Sequence, residues 1–139
     1  MKIHTEILSV KSKGETQLTD ITSGVRQILQ KSGLREGIIT VSVKGSTAGI
    51  TSIEYEPGLL KDYPEFWEKI VPEKNRYHHD DTWHDGNGHS HVRASLQGSS
   101  FQTSVINGEL FTGTWQQIVL VDFDNRPRQR EIAVTLIGE

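Results

Sequence analysis

The stretch Gln117-Ile-Val-Leu-Val-Asp-Phe123 decides the fold of this 139-residue chain, within an extended run over residues 114–123. Its four consecutive apolar side chains leave no polar face. Because successive side chains of a strand point to opposite faces of a sheet, a strand that is apolar at every position is covered on both sides. This stretch therefore predicts a central strand packed between two layers.

The segments on either side of this strand predict an antiparallel meander. Residues 101–106 and 109–111 are joined by Asn107-Gly108, a dipeptide typical of tight hairpin turns. After the central strand, the turn sequence DNRPR leads into a further strand over residues 131–137. The last third of the chain is therefore predicted to form consecutive, hydrogen-bonded strands.

Three more strands are predicted in the first half of the chain. Residues 3–10 alternate as in a half-exposed strand, and residues 37–43 and 50–55 are rich in β-branched side chains. The last two flank the small-residue loop KGSTAG, residues 44–49. The chain is thus predicted to be mainly β with a few helices, an α+β fold.

The helices are predicted from apolar spacing and from capping residues. A helix over residues 20–33 can be capped by Asp20 or Thr19 and ended by Gly33. Residues 57–72 predict one helix, or two short ones divided near a proline. Residues 90–98 predict a short helix capped by their first serine, with a strand as the alternative.

Composition limits the class of protein. The length fits a single domain over residues 1–139, and the absence of cysteine excludes disulfides and thiolate metal sites. The formal net charge of −3, without any long basic run, argues against a nucleic-acid or membrane-surface partner. The first residues lack a signal-peptide pattern and no segment is apolar enough to span a bilayer, so we expect a cytoplasmic protein.

The segment YHHDDTWHDGNGHSH, residues 77–91, is the strongest functional signal. It contains five of the six histidines together with three aspartates. His79, His89 and His91 can be folded onto one divalent ion by a single loop, in a pattern typical of catalytic zinc. Asp80 can orient an imidazole or take a proton from a bound water. The alternative is a solvated polar loop, since the spacing matches no strict zinc motif.

Other residues are candidates for completing a pocket. Ser46 and Thr47 of the KGSTAG loop offer hydroxyl groups for an anion, and Arg93 offers a guanidinium for a phosphate. Glu54, at a strand end, is a candidate acid or base, and Gln116 can point into a site. Each has an ordinary structural alternative. The arginines of RPRQR, residues 126–130, are candidates for the same phosphate contact, although a cluster in a turn is more often solvated surface.

Three sequence blocks carry a resemblance to a known family: STAGITSIEYEPG (46–58), HDDTWHDGNGHSHVRASLQGSS (79–100) and GELFTGTWQQIVLVDFDNRPRQREIAV (108–134). In this order they closely resemble the YjbQ-like family, also called the secondary thiamine-phosphate synthase family. The resemblance implies an antiparallel β-sandwich, a homotrimer, and a metal site around His79, His89 and His91. It also implies weak synthase activity, which joins a pyrimidine diphosphate to a thiazole phosphate.

The chain departs from the family pattern at two places. Many members have a histidine where this chain has Gly45, and asparagines where it has Glu54 and Glu56.

The leading hypothesis is a trimeric, metal-binding enzyme, with zinc as the favoured ion, that acts on a small phosphorylated metabolite by thiamine-phosphate synthase-like transfer. Two alternatives are a metal-dependent phosphoester hydrolase and a metal- or ligand-binding protein without turnover.

Overall fold

A computed structural model describes residues 1–139, with eight strands and four helices. In chain order the elements are β1 (Lys2–Ser12), β2 (Gln17–Asp20), α1 (Thr22–Ser32), β3 (Gly37–Val43), β4 (Ala48–Ile53), α2 (Pro57–Ile70), α3 (His78–Trp83), α4 (Gly88–Gln97), β5 (Ser100–Ile106), β6 (Glu109–Leu110), β7 (Gln117–Asp122) and β8 (Arg128–Gly138). The predicted class, mainly β with a few helices, is confirmed. None of the helices is both long and apolar enough to cross a membrane.

The strands form two antiparallel sheets. The large sheet has the order β1-β8-β3-β5-β6, and the small sheet has the order β2-β7-β4. In the large sheet β1 pairs with β8 along its whole length, from Lys2 opposite Gly138 to Ser12 opposite Arg128. The predicted central strand is confirmed, because β7 lies between two neighbours and is buried from Ile118 to Asp122.

Two apolar clusters cover the two faces of the small sheet. The larger cluster of 17 residues joins α1 to the inner face of the large sheet and to one face of the small sheet. The smaller cluster of seven residues packs Trp67 of α2 and Ala94 of α4 against Val119, Val121 and Phe123. Since β7 contributes to both clusters, it fixes α4 relative to the rest of the chain, and α4 carries two of the predicted site histidines.

Two elements were not predicted. Asp20 or Thr19 was expected to cap α1, but both belong to β2, which pairs with β7 from Gln17 opposite Asp122. Asp20 still accepts the Thr22 N–H, although the capping position itself is Ile21. The segment predicted as a histidine-rich loop contains α3, a six-residue helix with no buried residue.

The other helices agree with prediction in type, and some boundaries differ. The segment after β4 forms one continuous helix, α2, with Pro64 inside it. Its first turn is capped by Glu56, whose carboxylate accepts the N–H groups of Gly58 and Leu59. The predicted helix is confirmed as α4, but the predicted cap is wrong: the helix begins at Gly88, so Ser90 lies buried inside it.

Candidate functional site

Helices α3 and α4 meet at a tight junction that sets the spacing of the histidines. The Asp80 carboxylate of α3 accepts the N–H of Gly88, the first residue of α4, at 3.0 Å. Gly88 is buried, and a Cβ added to it would lie 2.5 Å from the Cβ of Tyr77. Because no side chain fits there, the glycine allows α3 to lie against the start of α4.

We predict that Gly88→Ala destabilises the protein by about 1–3 kcal/mol, the usual cost of forcing an extra carbon into a packed site. The added carbon must displace Tyr77, which directly precedes α3. Chemical denaturation of the two proteins measures the difference. Gly24→Ala is the control, because there the added carbon meets only the flexible end of Leu8, at 3.2 Å. Equal stabilities for Gly88→Ala and the parent would show that the junction is loose.

His79 and His91 form an imidazole pair across this junction. Their ring centroids lie 4.3 Å apart, with the ring planes inclined by 37°. The His79 Nδ1 atom is buried and has no hydrogen-bond partner. Burial, and then the neighbouring His79, lower the pKa of His91, which keeps its ring neutral near pH 7. Neutral rings with free nitrogen lone pairs are the form that binds a divalent metal.

Two carboxylates stand beside this pair. The Oδ1 atoms of Asp80 and Asp85 each lie 3.6 Å from the His79 Nδ1 atom. His79, Asp80 and Asp85 are a group whose ligand atoms all lie within 4.8 Å of one another. Imidazole nitrogen and carboxylate oxygen are common zinc ligands, so the donor set fits a divalent ion.

His89, the third predicted ligand, lies elsewhere. Two residues along an α-helix differ by about 200° around its axis, so His89 and His91 of α4 project to opposite sides. His89 is 2% exposed, close to the Tyr77 ring, and its Nδ1 has no partner. Burial, and then Arg93, lower its pKa. The structure therefore brings together two of the three predicted imidazoles.

The imidazole pair opens into a surface cleft of about 370 Å³. The cleft is polar and combines histidine, arginine and hydroxyl groups. It is lined by Gly45, Ser46, Thr47, His79, Trp83, Asp85, Asn87, His91, Arg128 and Arg130. Residues 45–47 of the KGSTAG loop thus line the same cleft as His79 and His91.

A buried ion-pair network forms the floor of this cleft. Arg130 donates from Nε and Nη2 to the two carboxylate oxygens of Asp122, at 2.7 and 2.8 Å. Its Nη2 also donates to the Thr47 hydroxyl at 2.7 Å, and that hydroxyl donates to Asp124 at 2.9 Å. Thr47 was predicted to bind substrate, but both functions of its hydroxyl are already used inside the protein. We therefore assign it to the floor of the cleft.

Asp124 is the acceptor at the centre of this floor. Although burial raises its pKa, hydrogen bonds from Arg128, Thr47, Asn87 and the Asn125 backbone lower it overall, so the carboxylate is ionised. The Asn87 amide nitrogen donates to Asp124 at 3.3 Å, and with the amide flipped it would donate to Asp85 instead. Either bond ties Asn87, in the turn before α4, to a carboxylate beside the cleft.

Arg130 keeps one nitrogen free for the cleft. Its side chain is 7% exposed, and Nη1 has no hydrogen-bond acceptor within the chain. A Cβ on Gly45 would lie 2.8 Å from this atom. Arg128 donates through Nε to Asp124 and is about one-third exposed. Glycine at position 45 thus leaves room for the Arg130 guanidinium, and both arginines line the same cleft as His79 and His91.

Three other predicted site residues lie away from the cleft. Arg93 is buried, and it donates to the Val71 carbonyl, the Thr16 hydroxyl and Glu68. Arg93 therefore secures α4 against α2 and β2, and it does not line the cleft. The physical reason is helix phase, because Arg93 lies on the same side of α4 as His89.

Glu54 and Gln116 lie at the far end of the small sheet. Glu54 follows β4, whereas the cleft residue Thr47 precedes it, and a strand of this length spans roughly 20 Å. Glu54 lines a separate acidic notch with the exposed Trp115. The Gln116 side chain donates to Ser52 and accepts from the Gly113 N–H. Within one chain, neither residue reaches the imidazole pair.

Asn87, Asp124, Arg128 and Arg130 are the cleft residues that sequence reasoning missed or undervalued. The sequence does offer a signal for them. Asp122 and Asp124 lie at the end of a fully apolar strand, and Arg128 and Arg130 follow after a short turn. Acidic and basic side chains in this arrangement can pair at one end of the sheet. That pairing makes the RPRQR segment part of the site.

Comparison with known proteins gives a consistent family assignment. The family model described as UPF0047 protein YjbQ-like matches residues 6–139. A UPF0047 protein of Methanothermobacter thermautotrophicus is 39% identical over 139 residues, covering 100% of this chain and 95% of that protein. YugU of Bacillus subtilis, another UPF0047 protein, is 33% identical, with coverage of 94% and 97%.

Solved structures agree in both fold and sequence. A YbjQ-like protein of unknown function from Sulfolobus solfataricus has a TM-score of 0.89 and 32% identity, covering 99% of this chain and 100% of that one. A hypothetical protein from Aeropyrum pernix has a TM-score of 0.90 and 31% identity, with coverage of 98% and 99%. With the family model matched over nearly the whole length, this chain belongs to the YjbQ-like UPF0047 family.

Proposed function

We propose that this protein is a metal-binding enzyme that acts on a small phosphorylated metabolite, with thiamine-phosphate synthase-like transfer as its leading reaction. The observation that carries this proposal is the cleft itself, which is lined by an imidazole pair with an adjacent carboxylate and by two guanidinium groups. Imidazole and carboxylate groups bind a metal ion, and guanidinium groups bind a phosphate. The cleft supplies both kinds of group.

His79, His91 and Asp85 are the residues proposed to hold the ion, with zinc as the expected ion because it binds both imidazole nitrogen and carboxylate oxygen. The unpaired His79 Nδ1 supports this proposal, since a buried nitrogen without a partner is costly unless a ligand satisfies it. Asp80 positions α4 through the Gly88 N–H. When bound, a divalent ion would neutralise negative charge on a phosphate or diphosphate oxygen.

Arg128 and Arg130 are proposed to hold the phosphate. A guanidinium can bind phosphate through two parallel N–H bonds, and the network with Asp122 and Asp124 fixes both side chains before a ligand arrives. When diphosphate leaves a substrate carbon, negative charge grows on its oxygens. Donors that are already oriented stabilise that charge without reorganisation. The Ser46 hydroxyl, also on the cleft wall, can add a further donor.

Metal-assisted hydrolysis is the second candidate function. The Asp80 carboxylate lies 3.6 Å from the His79 Nδ1 atom, where it can take a proton from an attacking water. The two reactions differ in their products. Incubated with a pyrimidine diphosphate and a thiazole phosphate, the zinc-loaded protein should give a condensed product and diphosphate if it is a transferase. A hydrolase should give free phosphate and the dephosphorylated compounds, without a condensed product.

The transfer proposal predicts the condensed product in mass spectrometry, and loss of that product in His91→Ala. Tight binding of these compounds without turnover would favour the third possibility, a binding protein.

We further propose a cytoplasmic location and a homotrimer. The location fits a chain without cysteine, and the homotrimer rests on the family resemblance.

We predict that Arg128→Ala weakens binding of inorganic phosphate to the zinc-loaded protein by about tenfold or more, the usual value of a charged hydrogen bond. Isothermal titration calorimetry measures the change. Arg126→Ala is the matched control, because Arg126 belongs to the same turn but is exposed and does not line the cleft. Equal affinities for the two variants would remove Arg128 from the proposed phosphate site.

A further inference from the structure

A second, smaller pocket adjoins the cleft. It has a volume of about 240 Å³ and lies between the start of β4 and the second half of α4. Gly45 and Ser46 line both the pocket and the cleft, so they form the boundary between the two. Every residue that lines the pocket is a glycine, an alanine or a serine. The charged groups therefore belong to the cleft, and the pocket beside it has none.

The pocket has an apolar floor and a rim of hydroxyl groups. Ala48 and Ala94 are 1% and 6% exposed, so their methyl groups lie at the bottom. Ser46, Ser95 and Ser99 are exposed and provide the rim. The Ser95 hydroxyl donates to a backbone carbonyl of its own helix at 2.8 Å, whereas the hydroxyls of the other two serines make no hydrogen bond within the chain. The rim thus has hydrogen-bonding groups to spare for a ligand.

The end of α4 closes one side of the pocket. A Cβ added to Gly49 would lie 2.7 Å from the Cγ of Gln97 and 2.7 Å from the carbonyl oxygen of Gly98. The same oxygen accepts the Ile50 N–H at 3.2 Å. Helix and strand therefore leave no gap at this point, whereas Gly45, which has no side chain, leaves the pocket open towards the cleft. A group inside the pocket can remain attached to a phosphate held in the cleft.

Arg130 links the pocket to a ligand. Its side chain is 7% exposed, and its Nη1 atom has no acceptor within the chain. A Cβ on Gly45 would lie 2.8 Å from this nitrogen but 3.9 Å from Cζ, so the nitrogen points at the boundary between pocket and cleft. A buried, charged donor without an acceptor is costly unless a ligand satisfies it. A phosphate oxygen bound there lies beside the entrance of the pocket.

The lining indicates what kind of group the pocket holds. A charged group would leave water without a partner of opposite charge, which is costly. Aromatic ligands are usually bound by apolar and aromatic side chains, and here the floor offers only two methyl groups. Because the Ser95 hydroxyl already donates, it can only accept from a ligand, whereas those of Ser46 and Ser99 can do either. A group that both donates and accepts, as a hydroxyl does, satisfies all three.

We propose that the pocket binds the organic part of a phosphorylated substrate, and that this part is compact, uncharged and hydroxyl-bearing, as in a polyol phosphate or short sugar phosphate. The inference rests on the phosphate site of the proposed function and adds the class of organic group bound next to it. The pocket is smaller than the roughly 300–1,000 Å³ of usual small-molecule sites, so it holds a short carbon chain. An aromatic ring of a second substrate binds outside it.

The test compares ligands that share a phosphate and differ in the organic part. We expect the zinc-loaded protein to bind glycerol 3-phosphate about tenfold more tightly than n-propyl phosphate, which has the same carbon chain without hydroxyls. Two neutral hydrogen bonds contribute about this much. Isothermal titration calorimetry measures both affinities, with inorganic phosphate as the reference for the cleft alone. Benzyl phosphate, which carries an aromatic ring, should bind no more tightly than n-propyl phosphate.

Two variants of Ser99 test whether this preference arises in the pocket. Ser99→Phe fills the pocket and should reduce the affinity for glycerol 3-phosphate to that for n-propyl phosphate. Ser99→Ala removes one hydroxyl without adding bulk and should lower the preference about threefold. Ser23→Phe is the matched control, because Ser23 is exposed on α1 and lines neither pocket nor cleft. All three variants should bind inorganic phosphate as the parent does, since the cleft arginines are unchanged.

Three results would overturn the inference: equal affinities for glycerol 3-phosphate and n-propyl phosphate, tighter binding of benzyl phosphate than of glycerol 3-phosphate, or a preference that survives in Ser99→Phe. Where the parent still binds inorganic phosphate, these results leave the proposed phosphate site standing. A parent that binds no inorganic phosphate would instead reject that site, and the inference with it.

Discussion

Asp122→Asn is expected to lower the free energy of unfolding by about 3–5 kcal/mol, the usual cost of breaking a buried ion pair from one side. Asp122 is fully buried, and both of its oxygens accept from Arg130, itself 7% exposed. The asparagine keeps the shape but removes the charge. Its NH₂ group would then face one guanidinium nitrogen, so Arg130 would lose one acceptor and the carboxylate charge that both of its bonds to Asp122 now meet.

Urea denaturation of the parent and the variant measures this difference. Asp81→Asn is the matched control, because the same chemical change there breaks the ion pair between Asp81 and Arg76, both of which are exposed. Exposed pairs of this kind contribute about 0–1 kcal/mol. If Asp122→Asn cost no more than Asp81→Asn, the network would not hold the cleft floor, and the proposed orientation of Arg130 would lose its basis.

The sequence is most informative where packing follows a simple period. The uninterrupted apolar run of β7 predicted a strand covered on both sides, and the β-branched run of β3 predicted that strand with its bounds correct. In both cases the side chains themselves form the core. The pattern therefore reports burial directly, and burial decides the element.

The missed elements have no such pattern. β2 is four residues long, and only Leu18 of it is buried, so its pairing with β7 depends on distant residues. α3 has no buried residue and a sequence, HHDDTW, that carries no apolar stripe. Its position depends on the bond from the Gly88 N–H to Asp80. A local sequence pattern does not encode such a contact, because it joins residues that only the folded chain brings together.

The candidate site was predicted in part for the same reason. Sequence spacing suggested that His79 could meet His91, and the structure places their rings side by side. The choice of His89 and Arg93 assumed that nearby residues share a direction, whereas the true start of α4 turns both away from the cleft. Arg128 and Arg130 were undervalued because their ionic partners, Asp122 and Asp124, lie across a turn whose geometry the sequence does not specify.

We predict that His91→Ala lowers zinc affinity by at least about 100-fold. Loss of a residue that only supports a metal ligand costs 10–100-fold, so loss of a ligand should reach or exceed the upper value. The His91 ring is neutral, beside His79, and lines the cleft. Competition with a chromophoric chelator measures the affinity of each variant.

His89→Ala is the control two residues away on the same helix. His89 is more deeply buried than His91 and faces Tyr77, so its loss should leave a cavity and lower stability. Its zinc affinity, measured where the protein remains folded, should match that of the parent. The reverse result, with affinity lost in His89→Ala and kept in His91→Ala, would mean that the ion lies on the other side of α4.

A crystal structure of the zinc-loaded protein, with anomalous diffraction collected at the zinc edge, tests the central claim most directly. We expect one strong anomalous peak at coordination distance from nitrogens of both His79 and His91, on the side of the cleft that faces Arg128 and Arg130. A peak beside His89 alone, or no peak within the cleft at saturating zinc, would contradict the account.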